Sequence, residues 1–134
     1  MKGAVAPSGR FGPEMRLLPF LLLASACASG SAREADLSGE LAGRHPGAPR
    51  DCVGTSSATN LTARDSRSLV YSQAGTIWVN RLEAACPGLG PASTLIVDVH
   101  GSQYCRGDHF RTLELGRIIP GPTCRLGAFT PWRR

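Results

Sequence analysis

Four side chains of the types that bind metals or move protons lie close together in the chain: Asp98, His100, Asp108 and His109. Two imidazoles and two carboxylates can hold zinc or a similar divalent ion, and the same set could serve a small hydrolytic centre. Their spacing matches no fixed metal-ligand pattern. Asp108 also follows Gly107, where an aspartate commonly accepts hydrogen bonds from the backbone of its own turn. On that plainer reading, His100 and His109 are exposed flanking residues. Nucleophilic catalysis has less to stand on, because no Gly-x-Ser-x-Gly elbow or other activated-serine setting is present. A paired-carboxylate hydrolase needs two acids facing a cleft, and a body this small offers little cleft. The expectation is a non-enzymatic protein that uses no cofactor. A metal-binding or hydrolytic domain built on those four residues is the alternative.

Sulfur is the second candidate chemistry. The cysteines are Cys27, Cys52, Cys86, Cys105 and Cys124, and no two have the two-residue spacing of a zinc knuckle or a thioredoxin-like motif. Setting Cys27 aside leaves an even set of four, which in an exported domain predicts two disulfides with 3 possible pairings. Consecutive strands of alternating direction would put Cys52 and Cys105 at one end of a sheet and Cys86 and Cys124 at the other. That favours 52–105 with 86–124, and one strand more or fewer would overturn it. Each bridge would contribute roughly 3–4 kcal/mol through the unfolded state.

The elements that must position these residues read as short strands between turn signals. Ser68–Ser72 and Thr76–Leu82, around the turn Gln73-Ala74-Gly75, make the best hairpin. Leu95 to Val99 is a clear strand, with Leu95, Val97 and Val99 on one face and Ile96, Asp98 and His100 on the other. His109–Leu115 alternates again, with Leu113 and Leu115 sharing a face. A last segment runs from Thr123 to about Thr130, after Ile118-Ile119-Pro120-Gly121-Pro122. Val53-Gly54-Thr55-Ser56-Ser57 is small and polar and predicts a weak first strand. The expected fold is mostly β: a small five- or six-stranded antiparallel barrel or sandwich stapled by two disulfides. Trp78 alternates with Ile77 and Val79, so one face of the hairpin must either expose apolar side chains or be covered, and an exposed face would mark a binding surface.

The amino-terminal region predicts an address. Lys2, Arg10 and Arg16 precede the apolar run Leu17-Leu18-Pro19-Phe20-Leu21-Leu22-Leu23, and small residues follow. That order is a secretory signal, with Met1 or Met15 as the start, and the run is too short for the roughly 20 residues of a membrane span. Leu23-Ala24-Ser25-Ala26-Cys27 resembles a bacterial lipobox, which would make residues 1–27 the signal peptide and Cys27 the acylated first residue. Ordinary cleavage near Ala26 or Ser29 is the alternative. Residues 28–50, rich in Ala, Gly, Ser and Pro, read as a flexible tether, since Leu37 and Leu41 alone cannot hold a brief helix. Residues 51–132 are the expected domain.

Charge narrows the partners. The chain of 134 residues carries a formal net charge of +5. Between Asp51 and Trp132, however, seven arginines face six carboxylates, so most of the excess lies at the two ends. A phosphate-neutralising surface is not expected there, nor a nucleic-acid partner. Asn60-Leu61-Thr62 is a formal glycosylation sequon that a bacterial export signal leaves without meaning.

Cys52 opening the domain, then Cys86-Pro87-Gly88-Leu89, Cys105-Arg106-Gly107-Asp108 and Cys124-Arg125-Leu126-Gly127-Ala128-Phe129, form a pattern over about residues 51–130. It resembles a family of small exported bacterial proteins, often with lipoprotein-like signals, known only as a domain of unknown function. The resemblance implies compartment and architecture and brings no activity with it. The expected protein is periplasmic, tethered to the outer membrane through a lipid on Cys27 or otherwise secreted. Membrane contact is expected through that lipid alone, and the role is that of a binding or envelope accessory module with a protein or cell-envelope partner.

Overall fold

The computed structural model describes residues 37–134, together with Gly3 and Gly9. The apolar run of the signal and Cys27 lie outside the described residues. The body is all-β and antiparallel. In chain order its strands are β1 (His45–Pro46), β2 (Cys52–Gly54), β3 (Thr62–Ala63), β4 (Ser68–Gln73) and β5 (Thr76–Arg81). The second half holds β6 (Thr94–Val97), β7 (Gln103–Cys105), β8 (His109–Leu113), β9 (Cys124–Arg125) and β10 (Phe129–Arg133). They form a five-stranded sheet in the order β1-β10-β5-β4-β3, a three-stranded sheet β6-β8-β9 and the pair β2-β7. Ten short strands thus replace the five or six expected, because turns and sheet changes cut the longer segments. The arrangement is sandwich-like.

The β4–β5 hairpin organises the body. Its two-residue turn, Ala74-Gly75, has φ of 48° and 77°, the pair of positive angles that matches strand twist in a tight hairpin. The register sets Tyr71 opposite Trp78 and Leu69 opposite Asn80, so these four point into the main core. There they meet Phe129 from the neighbouring β10 and Phe110, Leu126 and Tyr104 from the other sheets and loops. The Tyr71 and Tyr104 rings pack edge to face at 5.6 Å, and the Tyr71 hydroxyl donates to the Gly54 carbonyl at 3.0 Å. That face of the hairpin is thereby fastened to the β2-β7 pair.

The opposite face answers the question that Trp78 raised. Val70, Ile77 and Val79 are not exposed, because Leu37, Leu41 and Trp132 cover them. Residues 37–50, expected within a flexible tether, therefore belong to the packed body. Two leucines cannot hold a turn by themselves, but they can do so with an apolar sheet face beneath them. Arg44 donates to the Gly75 carbonyl at 2.7 Å, Glu40 pairs with Arg64 at 2.8 Å, and β1 adds to β10. Of the two alternatives, an exposed apolar face or a covered one, this face is the covered one and forms a second core.

Two other expectations are corrected. The strand over His109–Leu115 ends at Leu113, and Phe110 and Thr112 take the inward positions. Leu115 falls beyond the strand and is fully out in solvent. The segment from Thr123 to Thr130 is not one strand either. It leaves the three-stranded sheet after Arg125 and joins the five-stranded sheet at Phe129. Both disulfides join the favoured partners, Cys52 to Cys105 and Cys86 to Cys124, with Cα–Cα distances of 4.1 and 5.9 Å.

Candidate functional site

The four metal-type side chains do not converge. Asp98 and His109 lie on neighbouring backbone, where the Asp98 N–H donates to the His109 carbonyl at 2.9 Å. His100 approaches Asp108 only loosely, Nδ1 to Oδ1 at 3.8 Å, with its side chain 84% exposed. Asp108 is occupied elsewhere: its Oδ2 accepts the Cys105 N–H at 2.7 Å and closes the turn in which Gly107 has φ +88°. This is the turn-closing role of aspartate. Among the described residues no three His, Cys, Asp or Glu side chains are placed to hold a metal ion.

A cleft of about 740 Å³ opens instead beside the Cys86–Cys124 disulfide. Its walls come from the segment after β5 (Glu83, Ala85, Pro87), from the Arg106-Gly107 turn, and from the stretch Pro122 to Leu126. Each wall has a local cause. Pro87 has no N–H for a ladder and Gly88 takes φ +76°, so the chain must turn away after Cys86. Thr112, buried on β8, donates to the Pro87 carbonyl at 3.1 Å and accepts the Gly121 N–H on its own carbonyl at 2.8 Å. One residue thus fixes the approach to both sides of the cleft. The turn at Gly107 is held by its N–H donating to the Leu126 carbonyl at 2.8 Å.

Charge in the cleft is asymmetric. Arg106 and Glu83 form an exposed ion pair at 3.2 Å. The Arg125 guanidinium has neither an ion pair nor a hydrogen bond among the described residues. Beside it lie the apolar surfaces of Ala84, Ala85, Pro87 and Leu126. Such an arrangement suits a carboxylate or similar anion that carries an apolar body, because a guanidinium offers planar, two-pronged recognition of an oxyanion.

Sequence reasoning treated Cys86-Pro87-Gly88-Leu89 and Cys124-Arg125 as scaffold and missed the space between them. The available signal was Arg125 itself, a charged residue beside a half-cystine in a stretch otherwise small and apolar. No family model matches the chain, and neither a curated protein nor a solved structure matches it.

Proposed function

We propose that the protein is an exported, lipid-anchored, non-catalytic binding module of the cell envelope, and that it takes an anionic ligand with an apolar body in the cleft beside Cys86–Cys124. The exposed Arg125 guanidinium, without a partner among the described residues and beside apolar cleft walls, is the observation that carries the ligand class. Two disulfides in a body of this size support an oxidising compartment. The signal-like amino terminus and the lipobox-like stretch ending at Cys27 support export and anchoring. The likeness to small exported cysteine-containing proteins agrees with that compartment. Among the described residues, Asp98, His100, Asp108 and His109 form no shared site that would support the metal-binding or hydrolytic alternative.

Decanoate is a suitable probe, since it joins one carboxylate to a flexible apolar chain. Titrated into the exported chain and followed by amide NMR, it should perturb Arg125, Leu126 and Gly107 first. Arg125→Ala should weaken binding about tenfold or more, as expected for a charge-assisted contact. Perturbations elsewhere, or an unchanged affinity in the variant, would remove the cleft as the site.

A further inference from the structure

The loop between β8 and β9 breaks the usual partition of side chains more than any other described segment. Leu115, Ile118 and Ile119 are 87%, 92% and 78% exposed. Single exposed aliphatics are ordinary, but three within five residues form a patch that water disfavours. The loop is also built to stay out. Its amino-terminal side is a turn in which the Arg117 N–H donates to the Glu114 carbonyl at 3.0 Å and Gly116 has φ +78°. Its carboxy-terminal side is pinned where the Gly121 N–H donates to the Thr112 carbonyl at 2.8 Å, and Pro120 and Pro122 stiffen the return. A Cβ on Gly121 would sit 3.0 Å from the Thr112 hydroxyl, so the close approach at this base suits glycine.

We propose that this loop is an interfacial contact whose Leu115, Ile118 and Ile119 side chains enter an anionic lipid surface. Three features select a bilayer over a protein partner. The apolar groups form a projecting tip, which a fluid lipid layer accepts without a complementary groove. They are all aliphatic, and Arg117 sits between them with only a loose 3.8 Å, solvent-exposed pairing to Glu114. Apolar insertion beside a cation that stays at headgroup level is the usual composition of an interfacial anchor. Arg111, exposed on the strand that leads into the loop, adds a second cation on the same side of the chain.

Reach agrees with this, on the reading that Cys27 is acylated. Leu37 is the first described residue of the packed body, and the ten residues from Cys27 to it can span at most about 36 Å. A body on so short a leash stays at the membrane, where even a weak second contact would fix its orientation.

The test uses the full chain, exported, with Cys27→Ser so that no acyl group contributes. It should co-sediment with vesicles of phosphatidylglycerol and phosphatidylethanolamine, and more weakly with phosphatidylcholine alone. Changing Leu115, Ile118 and Ile119 together to Ser should lower partitioning roughly a hundredfold without changing the melting temperature, since all three are already in solvent. Arg117→Glu should lower it on the anionic vesicles only. Absence of binding by the Cys27→Ser chain overturns the proposal, as does binding that the triple variant retains. Self-association in the absence of lipid that the triple variant abolishes would assign the loop to a second copy of the chain instead. Acylation of Cys27 is read separately, by mass spectrometry of the unaltered mature protein, so the two readings fail independently.

Discussion

The side chain of Asn80 serves Gly127 as a neighbouring strand would. Its Nδ2 donates to the Gly127 carbonyl at 2.7 Å, and its Oδ1 accepts the Gly127 N–H at 2.9 Å, all fully buried. The chain is changing sheets at this point, so no backbone partner is at hand, and a buried peptide group without partners is costly. Glycine is required because a Cβ at residue 127 would collide with the Arg81 carbonyl. Asn80→Ala would strand two backbone groups and should cost about 2–4 kcal/mol, read as a lower urea midpoint with an unchanged slope. Gly127→Ala should be at least as damaging, because the clash is with backbone. A midpoint unchanged in both variants would mean that the sheet change is held by something else.

The hairpin turn carries a removable strain. Ala74 has φ 48°, a conformation that disfavours a side chain with an ordinary Cβ. Ala74→Asn creates the Asn-Gly pair that such turns favour. It should stabilise the protein by about 0.5–1 kcal/mol, measured as a higher melting temperature. A fall would show that the turn adopts another geometry.

The covering segment should respond to acid. Hydrogen bonding from the Arg64 guanidinium lowers the Glu40 pKa, against a smaller opposing effect of burial. A carboxylate with a depressed folded-state pKa stabilises fully above its ordinary value and loses that contribution as pH falls through the lowered one. Below about pH 4.5, the exchange protection of the Leu41 N–H, which donates to the Leu37 carbonyl, should therefore fall once the intrinsic pH dependence of exchange is divided out. The change is worth at most about 1 kcal/mol for a pair this near solvent. Glu40→Gln should remove the acid response at Leu41, and a response that survives would assign it to another group.

Leu37→Ala tests the same cover by packing. Removing a buried leucine from above Val70, Ile77 and Val79 should cost about 2–3 kcal/mol. An unaffected stability would return residues 37–50 to the role of a loose tether.

Much of the fold was legible because alternation and turn residues are local signals. The β4–β5 hairpin and the all-β class follow from Thr76 to Leu82 and from Ala74-Gly75, whereas the strand expected over Leu95 to Val99 is found at Thr94–Val97 and leaves Val99 exposed. The cysteine pairing came out as favoured, although the strand count used to reach it was too low. The direct cause is register, since Cys52 faces Cys105 across β2 and β7. What stayed hidden depends on contacts distant in sequence. The cover over Ile77 and Val79 comes from Leu37 and Trp132, and the sheet change at Gly127 is read only once Asn80 is seen behind it. The cleft was illegible for the same reason, because Glu83, Arg106 and Arg125 meet only through the fold.

Each disulfide closes a long stretch, with sequence separations of 53 and 38, so each should contribute about 4 kcal/mol through the unfolded state. In a domain whose whole net stability is expected near 5–15 kcal/mol, Cys86→Ser with Cys124→Ser should lower the urea midpoint sharply. It should also disorder the cleft before the β4–β5 hairpin, and a variant as stable as the parent would remove the staple from this account.

Two specific crosslinks hold the body, as the proposed export to an oxidising compartment requires. Non-reducing peptide mapping of the protein recovered from its own cells tests this most directly. The expected result is two linked peptide pairs, Cys52 with Cys105 and Cys86 with Cys124, and no free thiol at any of the four. Four reduced thiols in a protein that is fully folded would contradict it.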